Sequence, residues 1–225
     1  MKKNSCPGFT LIEVIIAILI FAIIITTLFS SFDAFLISSE TVKDEITHDE
    51  KIRNIFKRIS MDLEAIYVLQ PPRYQPPQFD SDPDPYRFIG EETTMGQDSV
   101  SSMIFTSLAH VTLGADQRTG VARIAYYLKE NKTDTYDLYR SDALFPFPEE
   151  IESCYDPILC KDISAFKIIY KNGDNDPYEI WDSDAKEFQY GFPASVDIKI
   201  FFGSDENSRI FEFSIDLATG RDPIE

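Results

Sequence analysis

Three patterns of apolar and polar positions divide the chain. Val14 to Ile25 is uninterrupted apolar sequence, and Phe9 to Phe32 is mostly apolar with Glu13 as its only charge. At about 1.5 Å per residue this run crosses a bilayer core of roughly 30 Å. Ile52, Ile55, Phe56, Ile59, Leu63 and Ile66 then recur at spacings of three and four, which is one apolar helix face. Lys51, Arg53, Lys57, Arg58, Asp62 and Glu64 take the other positions. No glycine or proline interrupts Phe9 to Gln70, and Pro71–Pro72 follows. The expectation is one helix of about 60 residues, some 90 Å long if unbroken, stopped by the prolines. The polar stretch from Ser38 to Glu50 is its expected flexible point.

After residue 98 the period changes to two. Residues 99–108, 121–128, 136–142, 163–171, 194–202 and 208–217 read as strands. The second and third pair across "KENKTDT", and the last two form a hairpin over "GSDEN". Residues 71–98, rich in proline and aspartate, read as an irregular loop. The fold class is therefore α+β: a long N-terminal helix, transmembrane in its first half, packs its second half on an antiparallel sheet.

Charge fixes the orientation. Lys2 and Lys3 precede the apolar run, and no further cation appears before Lys43. Positive residues stay cytoplasmic, so the bulk of the chain is expected outside the inner membrane, in the periplasm of a Gram-negative cell. The formal charge of −17 argues against nucleic acid as a partner. Cys154 and Cys160 fall in the exported part, where disulfides persist. Their spacing permits a bridge, and two buried thiols are the alternative. Neither histidine, His48 or His110, lies near that pair, so no zinc site is expected. Asp80, Asp82 and Asp84 alternate but lack the glycine and distal acid of an EF-hand, and "NGDNDPYEIWDSD" at 172–184 reads as a turn with Asx caps. No metal, cofactor or catalytic residue is expected.

The apolar run does not end in a small-residue cleavage site, and Cys6 lies before it rather than after, so neither a secretory nor a lipoprotein signal fits. "KKNSCPG" followed by "FTLIEVIIAILIFA" instead resembles the leader of type IV pilins and of the pseudopilins of type II secretion. That resemblance implies cleavage by a prepilin peptidase between Gly8 and Phe9, N-methylation of Phe9, and a role for Glu13 in neutralising a neighbouring subunit's amine during assembly. It divides the chain into a leader at 1–8, a transmembrane and assembly helix at 9–36, an amphipathic stalk at 37–70, and a globular domain at 71–225. The physics agrees with a partner for Glu13. A carboxylate in the membrane costs about 2.5–3.5 kcal/mol even on lenient scales. The amine created by the cut, together with the helix N-terminus, would offset that cost.

Within the pseudopilins the remainder is similar to the J-type minor subunits. "RISMDLEAI", "MIFTSLAH", "ARIAYYL…YDLYR", "ISAFKIIY", "YEIWDSD" and "FPASVDIKIFF" follow that family's order, with Trp181 and Pro193 matching. The proline-rich 71–85 insertion and the Cys154–Cys160 pair depart from it, as does the presence of one tryptophan. Trp181, Phe166 and Tyr170 are expected to be packing residues. The resemblance implies I- and K-type minor pseudopilins, the major pseudopilin, the prepilin peptidase and inner-membrane lipid as partners. A minor pilin of a type IV pilus and a membrane-tethered binding module are the alternatives.

Overall fold

The structure, a computed structural model, describes residues 11–78, 81–95, 98–111, 118–132, 135–149, 155–203 and 209–224. The chain divides into two compact units, Met1–Glu50 and Lys51–Glu225. Helix α1 covers Leu11–Glu64. The strands are β1 (Ile89–Met95), β2 (Asp98–Ser107), β3 (Ala122–Glu130), β4 (Tyr136–Leu144), β5 (Ile158–Lys171), β6 (Pro177–Tyr178), β7 (Trp181–Asp182), β8 (Ser195–Phe202) and β9 (Arg209–Asp216). They form one antiparallel sheet in the order β7-β1-β2-β3-β4-β5-β8-β9, with β6 attached to β5. Both expected hairpins are present, β3 with β4 from Ala122↔Leu144 to Glu130↔Tyr136 and β8 with β9 from Ser195↔Asp216 to Phe202↔Arg209.

The apolar face of α1 is the one expected. Ile52, Ile55, Ile59, Leu63 and, just beyond the helix, Ile66 are buried in one core with Phe105, Tyr126, Leu138, Phe166, Ile168 and Ile198. Along β8 the period of two is clear: Val196, Ile198 and Ile200 point inward. Asp197 and Lys199 on the other face pair with Lys171 at 2.7 Å and Glu212 at 2.9 Å. Phe166, Tyr170 and Trp181 are buried, as expected of packing residues.

The sheet curls. Strands β2 and β5 are separated in the ladder by β3 and β4, yet Ser101 Oγ accepts from the Ile168 N–H at 3.1 Å and the Tyr170 hydroxyl donates to the Ser102 carbonyl at 3.3 Å. The Tyr170 ring then lies against Gly90 of β1. A Cβ on residue 90 would sit 2.2 Å from the ring, which is fully buried and packed edge-on to Phe88. Gly90→Ala should therefore destabilise the domain by about 1–3 kcal/mol through overpacking. Chemical denaturation would measure it, and an unchanged midpoint would contradict this packing.

Three elements differ from the sequence expectation. The helix ends at Glu64, ahead of Pro71–Pro72. There Ile66 bridges to Ser107, the Tyr67 N–H donates to the Thr106 carbonyl at 2.8 Å, and the Leu108 N–H donates to the Ala65 carbonyl at 2.9 Å. The Ser107 hydroxyl donates to the Asp62 carbonyl at 2.8 Å, filling a helix-end acceptor. Sheet pairing, rather than proline, stops the helix. The expected loop 71–98 contains β1, whose sequence "IGEETTM" lacks apolar alternation. It is a strand because its backbone pairs with β2 along its length, from Ile89↔Ile104 to Met95↔Asp98. Strand β5 also begins five residues before the expected 163, in a segment that bulges against β4. The turn after β5 is as expected: Asn172 Oδ1 accepts from the N–H groups of Asp174 and Asp176 at 3.0 and 2.8 Å.

Candidate functional site

Leu11–Phe29 has a mean hydropathy of 3.0, and none of it is buried within the chain. Leu11, Ile12, Leu19, Phe21 and Phe29 all stand more than half exposed. So long an apolar surface requires lipid or other apolar helices around it. Its polar groups are adapted to that setting. The hydroxyls of Thr26 and Thr27 donate to the carbonyls of Ile23 and Ile24 at 2.9 Å, so neither needs water. Glu13 lies in the first turn of α1, where the unpaired N–H groups and the positive end of the helix dipole favour a carboxylate. Gly8, Phe9 and Cys6 lie outside the described residues.

At the other end of α1, Asp62, one of the charged positions off the apolar stripe, is fully buried. It accepts from Arg140 Nε at 2.6 Å and from a second Arg140 nitrogen at 3.1 Å, and also from the Tyr126 hydroxyl at 2.5 Å. Arg58, one turn earlier, pairs with it as well and donates to the Ala109 carbonyl at 2.5 Å. Arg140 continues to Asp142 at 2.7 Å, and Asp142 also meets His110 Nδ1 at 2.5 Å and the Val111 N–H at 2.9 Å. The network ties the end of α1 to β3, β4 and the segment after β2. One sequence signal bore on it: the period of two along "YDLYRSD" puts Arg140 on the same face as the buried Tyr136 and Leu138. An inward arginine needs an acid.

Burial alone would lower the Arg140 pKa, but its bonds to Asp62 and that residue's charge raise it above the ordinary arginine value. Burial pushes the Tyr126 hydroxyl well up, with the Asp62 charge adding to it. For Asp142, burial would raise the carboxyl, and the hydrogen bonds from His110, Val111 and Arg140 outweigh it, so its pKa falls below the usual carboxylate range. A carboxylate depressed in the folded state contributes stability that is present above the unfolded pKa of about 3.9 and lost as pH falls through the folded value. Stability of the wild-type chain should thus fall as pH drops below about 4, and less steeply in Asp142→Asn. Denaturation midpoints measured from pH 5 to pH 2 check this, and equal acid slopes in both proteins would contradict it.

A second cluster anchors the C-terminal segment. Arg221 is buried, with its guanidinium 3.2 Å from the Tyr74 ring centroid. It donates to the Ser183 carbonyl at 2.6 Å and the Tyr190 carbonyl at 2.7 Å, and it pairs with Asp84 at 3.3 Å and Asp184 at 3.6 Å. Asp84, considered above as one of three alternating aspartates, is thereby committed to an internal ion pair, and Asp80 lies outside the described residues. Among the described residues no group of three His, Cys, Asp or Glu side chains is placed to hold a metal ion. His110 is held by Asp142, while the side chain of His48 is not among those described. Cys160 is half-buried on β5 opposite Leu138, and burial pushes its thiol up to about 11. Cys154 lies outside the described residues, and with it the expected bridge.

A family model described as the prokaryotic N-terminal methylation motif matches residues 3–29. No curated protein matches the chain. The chain thus carries a prepilin-like N-terminal methylation motif, followed by an apolar helix that suggests a membrane anchor and by an antiparallel, curled β domain. Its architecture is the pilin-like α+β class.

Proposed function

We propose that the chain is a minor pseudopilin of type II secretion, of the J type, and that it acts as an assembly subunit rather than an enzyme. The observation that carries this reading is the methylation motif at 3–29 lying directly on an apolar helix whose residues are unburied within the chain. A helix of this kind is completed by other helices and lipid. The order of elements behind it, from the "RISMDLEAI" helix end to the "FPASVDIKIFF" strand, supports the J type.

In this reading the prepilin peptidase cuts between Gly8 and Phe9, Phe9 is methylated, and Glu13 pairs with a cationic amine in the membrane. The β domain stands in the periplasm. There it joins I- and K-type minor pseudopilins in a tip complex that starts assembly of the major pseudopilin. The test is co-expression of the full chain with I- and K-type subunits, then capture through a tag on this chain. A ternary complex is expected. Recovery of the folded, processed chain without either subunit would contradict the J-type reading and favour a minor pilin of a type IV pilus. Processing has its own check: Gly8→Asp, which puts a charge at the cut, should block cleavage, and full cleavage seen by mass would contradict the leader assignment.

A further inference from the structure

We propose that a surface patch around Arg123 and Phe145 docks a partner protein through an apolar segment that carries a carboxylate. Alternation along β3 puts Ala122, Ile124 and Tyr126 in the core and Arg123 on the opposite face of the sheet. There Arg123 meets rings from separate segments. Its guanidinium lies 5.4 Å from the Phe147 ring centroid. Phe147 meets Phe145 edge-on at 5.4 Å and Tyr86 edge-on at 5.9 Å, and Tyr86 meets Tyr67 at 5.3 Å. The segment after α1, the segment before β1 and the segment after β4 thus converge on one strand. Phe145 nevertheless stands 59 % exposed. Leu108, 60 % exposed, closes the same end of the sheet, because Ser107, Ala122 and Leu144 lie in one row. Single exposed apolar residues are ordinary, but an aromatic patch around an arginine has the make-up of an interface centre.

Charge identifies the occupant. Arg58, Arg87, Arg140 and Arg221 each pair with an aspartate. Arg123 has no such pair among the described residues: it donates to the Pro148 carbonyl and otherwise faces the Phe147 ring. Burial lowers its pKa, and no carboxylate opposes that shift. A guanidinium partly withdrawn from water, with donors left over, selects a carboxylate, and the rings beside it select an apolar stem. A second copy docked through the same patch would set guanidinium against guanidinium, which costs affinity. An anionic lipid surface is opposed by the chain's net charge of −17. A different protein, presenting Asp or Glu among apolar residues, meets both demands. The patch belongs to the β domain and does not rest on the J-type reading.

Arg123→Lys tests this in the full chain, because it keeps the charge and supplies an amine that a water-soluble carbodiimide joins to a touching carboxylate. Treatment of the native membranes is expected to give an amide between position 123 and an Asp or Glu of a different protein, mapped by peptide mass spectrometry. Phe145→Ser in the same background should lower the yield at least about fivefold, the loss of one interface anchor. Phe145 is exposed, so the unfolding midpoint, followed through the single tryptophan Trp181, should not move. A photoreactive benzoylphenylalanine at position 145, with Arg123 intact, gives a second readout. It should label the same protein, and Arg123→Glu should reduce that labelling at least about fivefold. Coupling only to an acid of the same chain, coupling to a second copy, or a photoadduct on lipid alone would each overturn the proposal. So would no coupling from a variant that unfolds at the wild-type midpoint, or a yield that Phe145→Ser leaves unchanged.

Discussion

Asp62→Ala is expected to destabilise the β domain by about 3–5 kcal/mol, the cost of removing the central acid from a buried ion-pair network and leaving its arginine with Asp142 alone. Arg140 is the charge concerned. Its side chain is 4 % exposed, and two of its nitrogens bond to Asp62. Tyr126 would lose its acceptor at the same time, and Arg58 its partner one turn away. Denaturant unfolding of the full chain, followed through Trp181 emission, measures the effect. Pairing the change with Arg140→Leu should recover much of the loss, because the under-paired buried cation is then gone. A loss below about 1 kcal/mol in the single variant would show that Asp142 alone satisfies Arg140 and would contradict the central place of Asp62. The network fixes the last turn of α1 to β3 and β4.

Glu13→Ala is expected to leave cleavage intact and to reduce recovery of the assembled complex at least about tenfold. On the proposed assembly role, removing the acid would strand a neighbouring amine in a medium of low dielectric, and breaking such a pair exceeds the 1.4 kcal/mol that corresponds to a factor of ten. Within its own helix Glu13 sits in the first turn, where dipole and N–H groups favour it whether or not a neighbour is present. The variant should therefore fold, insert and be processed, and fail only where two subunits meet. Capture of I- and K-type partners from membranes, beside a mass measurement of the processed chain, separates the two steps. Undiminished capture would contradict the assembly role of Glu13.

The parts of this molecule that were legible in the sequence are those where one physical signal acts alone. The apolar run at 11–29 has no competing reading of its period, and the Ile52–Ile66 stripe is the buried face found in the structure. The β3–β4 and β8–β9 hairpins follow from alternation on either side of polar turns. What was not legible depends on tertiary partners. Strand β1 has polar positions and exists because β2 offers it a complete ladder. The helix stops at Glu64 because Ser107 and Thr106 compete for its last backbone groups, which no local rule reveals. Asp62 lies off the apolar stripe beside Arg58 and Glu64, and its burial follows from Arg140, 78 positions away. The same limit applies to Arg221, whose acids come from two distant loops. The patch around Arg123 is also assembled from distant segments, with Tyr67, Tyr86 and Phe147 each on its own.

A working prepilin-type segment at residues 3–29 leaves a trace that a plain anchor does not. Intact-mass measurement of the protein purified from its own membranes reads that trace. The mature chain is expected to begin at Phe9 and to carry one methyl group on its amine. A chain that still holds Met1 to Gly8, or one that begins at Phe9 without the methyl group, would contradict it.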